Sequence, residues 1–332
     1  MKYLAFATGM MAATAAVAET PVLTVYTYDS FVSDWGPGPA VEAAFEETCG
    51  CDLKLVGAGD GAALLARLKL EGARSDADVV LGLDTSLTGA AAATGLFAPH
   101  GQTVTTDVPN PFGEAGSWDD ANFLPYDWGY FAFVYDTTKL ENAPASFEEL
   151  AASDVKIVIQ DPRSSTPGLG LLLWVKEQYG DGAAAMWEGL ADNVVTVTKG
   201  WSEAYGLFLE GEADMVLSYT TSPAYHIIAE EDQSKAAAAF PSHYMQIEVA
   251  GKLAGTDQPE LADQFLSFMV SDGFQSIIPT TNWMYPAFTP AAGVPDAFAA
   301  PIAPEQARLI ATDKVQAIRD EALAEWLGAL SQ

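Results

Sequence analysis

The chain reads as an α/β protein of two αβ lobes joined by two crossover strands. Strand-like and helix-like segments alternate along most of its length. That order is broken once by a long aromatic strand and again, much later, by an alternating one, so the path leaves the first lobe and returns to it. The 332 residues exceed one small domain, and 49% hydrophobic against 18% charged content allows buried cores and excludes general disorder.

In the first lobe, residues 23–28 (LTVYTY) form a strand rich in β-branched and aromatic side chains, and 41–48 (VEAAFEET) a helix. Residues 52–56 make a second strand, followed by a helix over 61–72 with Leu64, Leu65, Leu68 and Leu70 on one side. The continuous apolar run 79–83 marks a strand buried on both faces, as a parallel sheet requires. An Ala-rich helix covers 88–96, and a loop rich in Pro, Gly and Asp covers 100–122. The strand 126–135 (YDWGYFAFVY) then leaves the lobe.

In the second lobe, Ser146 and Glu149 form a capping box that opens a helix. The strand 156–160 precedes a helix over 166–178, opened by Thr166-Pro167-Gly168. Strand 194–198, helix 202–209 and strand 215–219 follow, and Ser222-Pro223 starts another helix with Pro in the first turn. Residues 244–249 (YMQIEV) alternate like a strand returning to the first lobe, and 260–270 and 305–330 are helical. The lobes are then 19–127 plus 240–290, and 128–239 plus 291–332.

Residues 1–18 have the three parts of a secretory signal peptide: Lys2, an apolar run over 4–15, and Ala16-Val17-Ala18 before Glu19. The run is short for a membrane span, no other apolar run is long enough, and no lipobox cysteine stands at the cleavage point. Export points to a bacterial periplasm or an extracellular location. There Cys49 and Cys51 can close a tight C-x-C disulfide, remain free thiols, or do chemistry. The three histidines lie far away in sequence, so no metal site is assigned. A net charge of −30 repels phosphate backbones and anionic headgroups, which argues against nucleic-acid and polybasic membrane roles. It suits a cationic or neutral small partner, or simply keeps the protein soluble.

Ligands of open α/β sheets sit beyond the carboxyl ends of the strands. The loops there contain Tyr28-Asp29-Ser30, Trp35, Gly59-Asp60-Gly61, Ser164-Ser165-Thr166, Trp201-Ser202-Glu203 and Thr220-Thr221-Ser222-Pro223-Ala224-Tyr225. A late loop holds Thr281-Asn282-Trp283. Rings converging on one cleft sandwich a flat heterocycle or hold a cation, although any one of them also serves as core packing. Asp60 and Ser165 read equally as helix N-caps, and a helix start that is capped also binds anions. No Lys follows the glycines of 164–170, so that loop is not a nucleotide phosphate loop. Asp29 and Asp127 are more simply surface or hinge residues than an acid–base pair.

The strings LTVYTYDSF, DWGPGP, CDLKLV, ADVVLGLD, GYFAFVYD, QDPRSSTPGLGLLLW, TVTKGWSEAYGLFL, VLSYTTSPAYH and IPTTNWMYP together resemble the periplasmic thiamine-binding proteins, substrate receptors of bacterial ABC importers. They span most of 23–285; the chain from Ala287 onward matches poorly, and Gly57-Ala58-Gly59 departs from the pattern while Asp60-Gly61 fits it. The resemblance implies a type II periplasmic-binding-protein fold that closes on thiamine and accepts its phosphate esters. It implies delivery to an inner-membrane permease and ATPase, a monomer, and no cofactor. It carries binding positions onto Asp60, Gly61, Ser165, Thr166, Trp201, Tyr219, Thr220, Thr221 and Ser222, with Tyr28, Trp35, Tyr225 and Trp283 as further cleft rings. Asp60 would accept from the amino group or offset the thiazolium charge, and the hydroxyls would meet the tail or its phosphates.

Two rivals stay open. Thiaminase of the first type shares a two-lobed fold and uses a cleft cysteine, but Cys49 and Cys51 precede a strand, at its amino end. No Gly-x-Ser-x-Gly elbow exists either. A receptor for another cation is the second: ferric receptors use adjacent tyrosines, which are lacking here, whereas a polyamine receptor fits the acidic composition.

Overall fold

The computed structural model describes residues 20–109, 116–232, 237–239, 244–298 and 307–330. The signal peptide and Glu19 lie outside the described residues, as does His243.

The first lobe opens with β1 (Val22–Thr27), α1 (Gly38–Cys49), β2 (Asp52–Gly57), α2 (Gly61–Glu71), β3 (Val79–Asp84) and α3 (Thr85–Ala92). Then come the short β4 (Phe97–Ala98) and the long β5 (Phe123–Tyr135). The second lobe comprises α4 (Phe147–Ala151), β6 (Ile157–Gln160), α5 (Thr166–Tyr179), α6 (Ala183–Leu190), β7 (Val194–Thr198), α7 (Trp201–Glu210), β8 (Met215–Tyr219), α8 (Pro223–Ala229) and β9 (Ala237–Ala239). The chain returns through β10 (Met245–Leu253) to α9 (Pro259–Met269), α10 (Asp272–Gln275), α11 (Ile278–Thr281) and β11 (Tyr285–Pro286), and ends in α12 (Thr312–Leu330).

The strands follow the order β2-β1-β3-β10-β5-β8-β6-β7. In the first lobe, β1 pairs parallel with β2 and β3, and β10 pairs antiparallel with β3. In the second, β6 pairs parallel with β7 and β8. The seam is β5 itself. Its residues 123–130 pair with β10, whereas Phe131–Tyr135 pair with β8. One hydrogen-bonded strand therefore serves both lobes, and its partner changes between Tyr130 and Phe131, a few residues after the expected boundary at 127.

Each sheet is covered on both faces, as parallel pairing demands. Every residue of β3 is buried. Leu64, Leu65 and Leu68 of α2 pack on one face of the first sheet, and Val41 and Phe45 of α1 join Phe265 of α9 on the other. Leu70, expected on the same side as the other leucines, is instead exposed, because its position turns to solvent. Gly82, at φ +101°, leaves room for the Tyr28 ring: a Cβ there would lie 2.2 Å from Tyr28 Cδ1.

The C-terminal region departs from the expected partition in two ways. Ala291 N donates to Asp272 Oδ1, and Phe298 packs on Tyr285, so this stretch lies with the returning chain. Helix α12 packs on α5 and α6 of the second lobe but also on α3 of the first. Lys176 Nζ of α5 bonds to Glu321 and Glu325 of α12, and Thr312 Oγ1 donates to Thr85 O at the start of α3. The helix begins at Thr312; residues 299–306, which the sequence reading partly included in it, lie outside the described residues. Helix α3 starts three residues earlier than expected, at Thr85. Helix α6 was not anticipated.

Candidate functional site

A cavity of about 520 Å³ lies between the lobes at the carboxyl ends of the strands. Among the described residues, seven rings line it: Tyr28, Trp35, Trp201, Tyr205, Tyr219, Tyr225 and Trp283. Two carboxylates of the described residues, Asp60 and Glu248, also reach its wall, and no described Lys, Arg or His does.

The rim joins the lobes directly. Asp60 immediately precedes α2 in the first lobe. Its Oδ2 accepts from Ser165 Oγ at 2.7 Å and from the Trp201 backbone N–H at 3.1 Å. Ser165 and Trp201 stand at the starts of α5 and α7, so an acid of one lobe caps α7 of the other through a backbone N–H and holds the Ser165 hydroxyl at the start of α5. Beside it, Gly61 N donates to Thr166 Oγ1 at 3.1 Å, and Ala63 N to Ser164 O at 3.1 Å. A Cβ on Gly61 would stand 2.4 Å from Thr166 Oγ1, so only glycine permits this approach. Burial pushes the Asp60 carboxyl up to about 6, against the lowering effect of its two donors.

Trp201 stacks on Tyr205 at 4.8 Å and donates from Nε1 to Ser218 Oγ at 2.9 Å. Trp35 tilts toward it from the first lobe, with ring centroids 6.1 Å apart, and is 54% exposed. On the opposite wall Trp283 meets the Tyr225 ring edge to face at 5.3 Å. Trp283 has φ +57°, a left-handed conformation that disfavours bulky side chains and concentrates at functional sites.

The floor is a buried polar network on the two crossover strands. Tyr28 OH and Tyr126 OH donate to Glu248 Oε2 at 3.0 and 2.6 Å. Gln246 Nε2 donates to Glu248 Oε1 at 2.8 Å and accepts at Oε1 from Tyr219 OH at 2.8 Å. Asn282 Nδ2 reaches both Tyr28 OH and Asp127 Oδ2, at 2.8 and 2.6 Å. Asp127 is therefore a hinge-strand residue, fully buried and not at the surface. Asp29 accepts from Gly59 N and shapes the turn before α2.

Of the expected site residues, Asp60, Gly61, Thr166, Trp201, Tyr219, Ser222, Tyr28, Trp35, Tyr225 and Trp283 all line the cavity. Ser165, Thr220 and Thr221 do not. Ser165 is fully buried because its hydroxyl is drawn to Asp60. Thr220 N continues the pairing with β5 by donating to Tyr130 O, and Thr221 is fully buried, so only Tyr219 and Ser222 of that segment face inward. Glu248, Tyr205, Ser202, Asn282 and Met284 line the cavity without having been singled out. Gln246 and Glu248 gave no signal in the sequence, because in YMQIEV they alternate with apolar residues as solvent-facing side chains do. Cys49 and Cys51 are bridged. They flank Gly50, before the amino end of β2, whereas Asp60 follows its carboxyl end.

The family model of bacterial extracellular solute-binding proteins matches residues 30–276. The thiamine-binding periplasmic protein of Escherichia coli (strain K12) is 54% identical over 97% of this chain and 98% of its own. That of Brucella melitensis is 53% identical over 93% of this chain and 92% of its own. A solved periplasmic thiamin binding protein superposes with TM-score 0.87 at 51% identity, covering 96% of this chain and 98% of that one. Iron-bound HitA from Pseudomonas aeruginosa, at 22% identity and TM-score 0.72, shares the fold.

Proposed function

The chain belongs to the bacterial extracellular solute-binding proteins, and from that premise we propose that it is a periplasmic receptor that binds thiamine between its lobes and hands it to an ABC importer. The observation that carries this reading is the cavity wall, which among the described residues has seven rings, two carboxylates and no basic residue. Thiamine is a permanent cation with a flat aminopyrimidine, so it gains from ring faces and from negative charge in a water-poor cleft. A cavity of about 520 Å³ falls within the usual range for small-ligand sites. Near-full-length similarity to proteins named for thiamine binding supports the same ligand.

Thiamine phosphate and pyrophosphate are taken as further ligands. With no basic side chain at the wall among the described residues, their phosphates rely on hydroxyl and N–H groups, which Thr166, Ser202 and Ser222 supply where α5, α7 and α8 begin. The receptor works as a monomer, with an inner-membrane permease and ATPase as partners. Thiamine is its cargo and no cofactor is assigned. It is not a catalyst by this reading: its two cysteines are paired with each other at the strand end away from the cavity.

Calorimetric titration tests the assignment. Thiamine is expected to bind tightly, its phosphate esters measurably, and spermidine weakly. Preference for spermidine would make the protein a polyamine receptor. Cleavage of thiamine when a nucleophile is added would make it an enzyme.

A further inference from the structure

Glu248 occupies the centre of a line of acids across the first sheet. Its register partners are Asp84 on β3 and Asp127 on β5. All three are buried, but only Glu248 reaches the cavity wall. Three neutral side-chain donors surround its carboxylate: Tyr28 OH, Tyr126 OH and Gln246 Nε2. Asp127 receives Asn282 Nδ2 on one oxygen and stands opposite Glu248 in the register, so two buried carboxyls lie side by side, an arrangement that favours a single negative charge on the pair. Asp60, the other acid at the wall, spends its charge on the start of α7 and on Ser165. Glu248 accepts from neutral side chains alone and faces no helix start.

We propose that Asp127 holds the proton of this pair and Glu248 the charge, so that Glu248 is the residue by which the cleft selects a cationic ligand over a neutral one of the same shape. Glu248 has three donors around it and Asp127 has Asn282 alone, so the charge is better held on Glu248, and a fixed charge among neutral donors in a water-poor site acts strongly on a cation. Burial raises both carboxyls: the Glu248 charge adds to the rise at Asp127, which stands well above the usual carboxylate range, whereas the Tyr126 and Tyr28 hydroxyls act against it at Glu248. Tyr28, Tyr126 and Tyr219 are held well above theirs, chiefly by burial, so they remain neutral. Asp84 is pushed up to about 7 and Asp60 to about 6, in both cases chiefly by burial. The charge on Glu248 is thus held by neighbours that do not themselves compete for the ligand.

The inference rests on the thiamine reading, and one set of titrations at pH 7.5 separates the two. The ligands are thiamine and its uncharged analogue in which carbon replaces the quaternary ring nitrogen. Wild-type protein is expected to prefer thiamine by roughly tenfold or more. Glu248→Gln is expected to lose about ten- to hundredfold for thiamine while holding the analogue within about threefold. Asp127→Asn keeps the parental preference for the cation, because a neutral amide then stands where the proposal has a neutral acid beside Glu248. Equal wild-type affinity for the two ligands overturns the inference. So does a Glu248→Gln variant that weakens both ligands alike, or an Asp127→Asn variant that loses the preference. If Glu248→Gln does not fold, the wild-type and Asp127→Asn comparisons decide. Wild-type protein that binds neither ligand overturns the thiamine reading itself.

Discussion

Asp60 of the first lobe accepts a hydrogen bond from Ser165 of the second at 2.7 Å, and through it the two lobes meet over the cavity. The same carboxylate caps α7 at Trp201, so Asp60 is a latch as well as a wall residue.

That latch predicts a pH dependence of closure. Burial where the lobes meet holds the Asp60 carboxyl up at about 6, and opening the cleft to water is expected to return it toward its ordinary 3.8. The closed cleft therefore takes up a proton in between. The contribution of this group to closure is full below the ordinary value and is lost as pH rises through about 6. Small-angle scattering of ligand-free protein between pH 4 and 8 is expected to show a growing open fraction. Asp60→Asn should flatten that profile and lower thiamine affinity, because a charge-assisted contact worth about 1.5–3 kcal/mol is gone. Its melting temperature should change little, since Asn also caps helices. A large drop in melting temperature with affinity intact would make Asp60 a structural cap only.

Trp201→Ala should weaken thiamine binding roughly tenfold, the equivalent of about 1–2 kcal/mol of cation–ring stacking in a desolvated site. Quenching of protein fluorescence by thiamine should fall with it. An unchanged dissociation constant in a folded variant removes Trp201 from the site.

Trp283→Gly relieves a left-handed backbone that costs a non-glycine residue about 1 kcal/mol, while deleting a wall ring. The two effects on stability oppose each other, so melting should shift only slightly. Thiamine affinity should fall about tenfold, by the same stacking argument. Calorimetry showing wild-type affinity would mean that the unusual backbone serves packing against Tyr225 and not the ligand.

Reducing the Cys49–Cys51 bridge should leave thiamine affinity unchanged. The bridge closes a three-residue loop, so it removes at most about 1.5 kcal/mol of unfolded-state entropy. Titrations with and without reductant check the placement. A large loss on reduction would bring the enzymatic reading back.

The order of strands and helices was legible because the strands are buried on both faces and so read as apolar runs, as in β3 and β8. Helix α6 escaped because its sequence, AAAMWEGL, is short and lacks capping signals. The rings at the strand ends were legible because loop positions need no bulky filler. Glu248 was not. In YMQIEV the alternation reads its polar side chains as facing solvent, and only the pairing of β10 between β3 and β5 turns that face inward. Ser165 turns to Asp60, a partner far away in sequence that no local pattern names, and Thr221 is buried beside the wall, so the strand-end position alone does not say which way a hydroxyl points.

Trp35 and Trp201 come from different lobes, and their ring centroids stand 6.1 Å apart at the mouth of the cavity. Two indoles so close couple their electronic transitions, and that coupling fades steeply as they separate. The protein thus carries its own optical gauge of aperture. The circular dichroism of this one pair would report the closed fraction in dilute solution, without a dye and without a ligand.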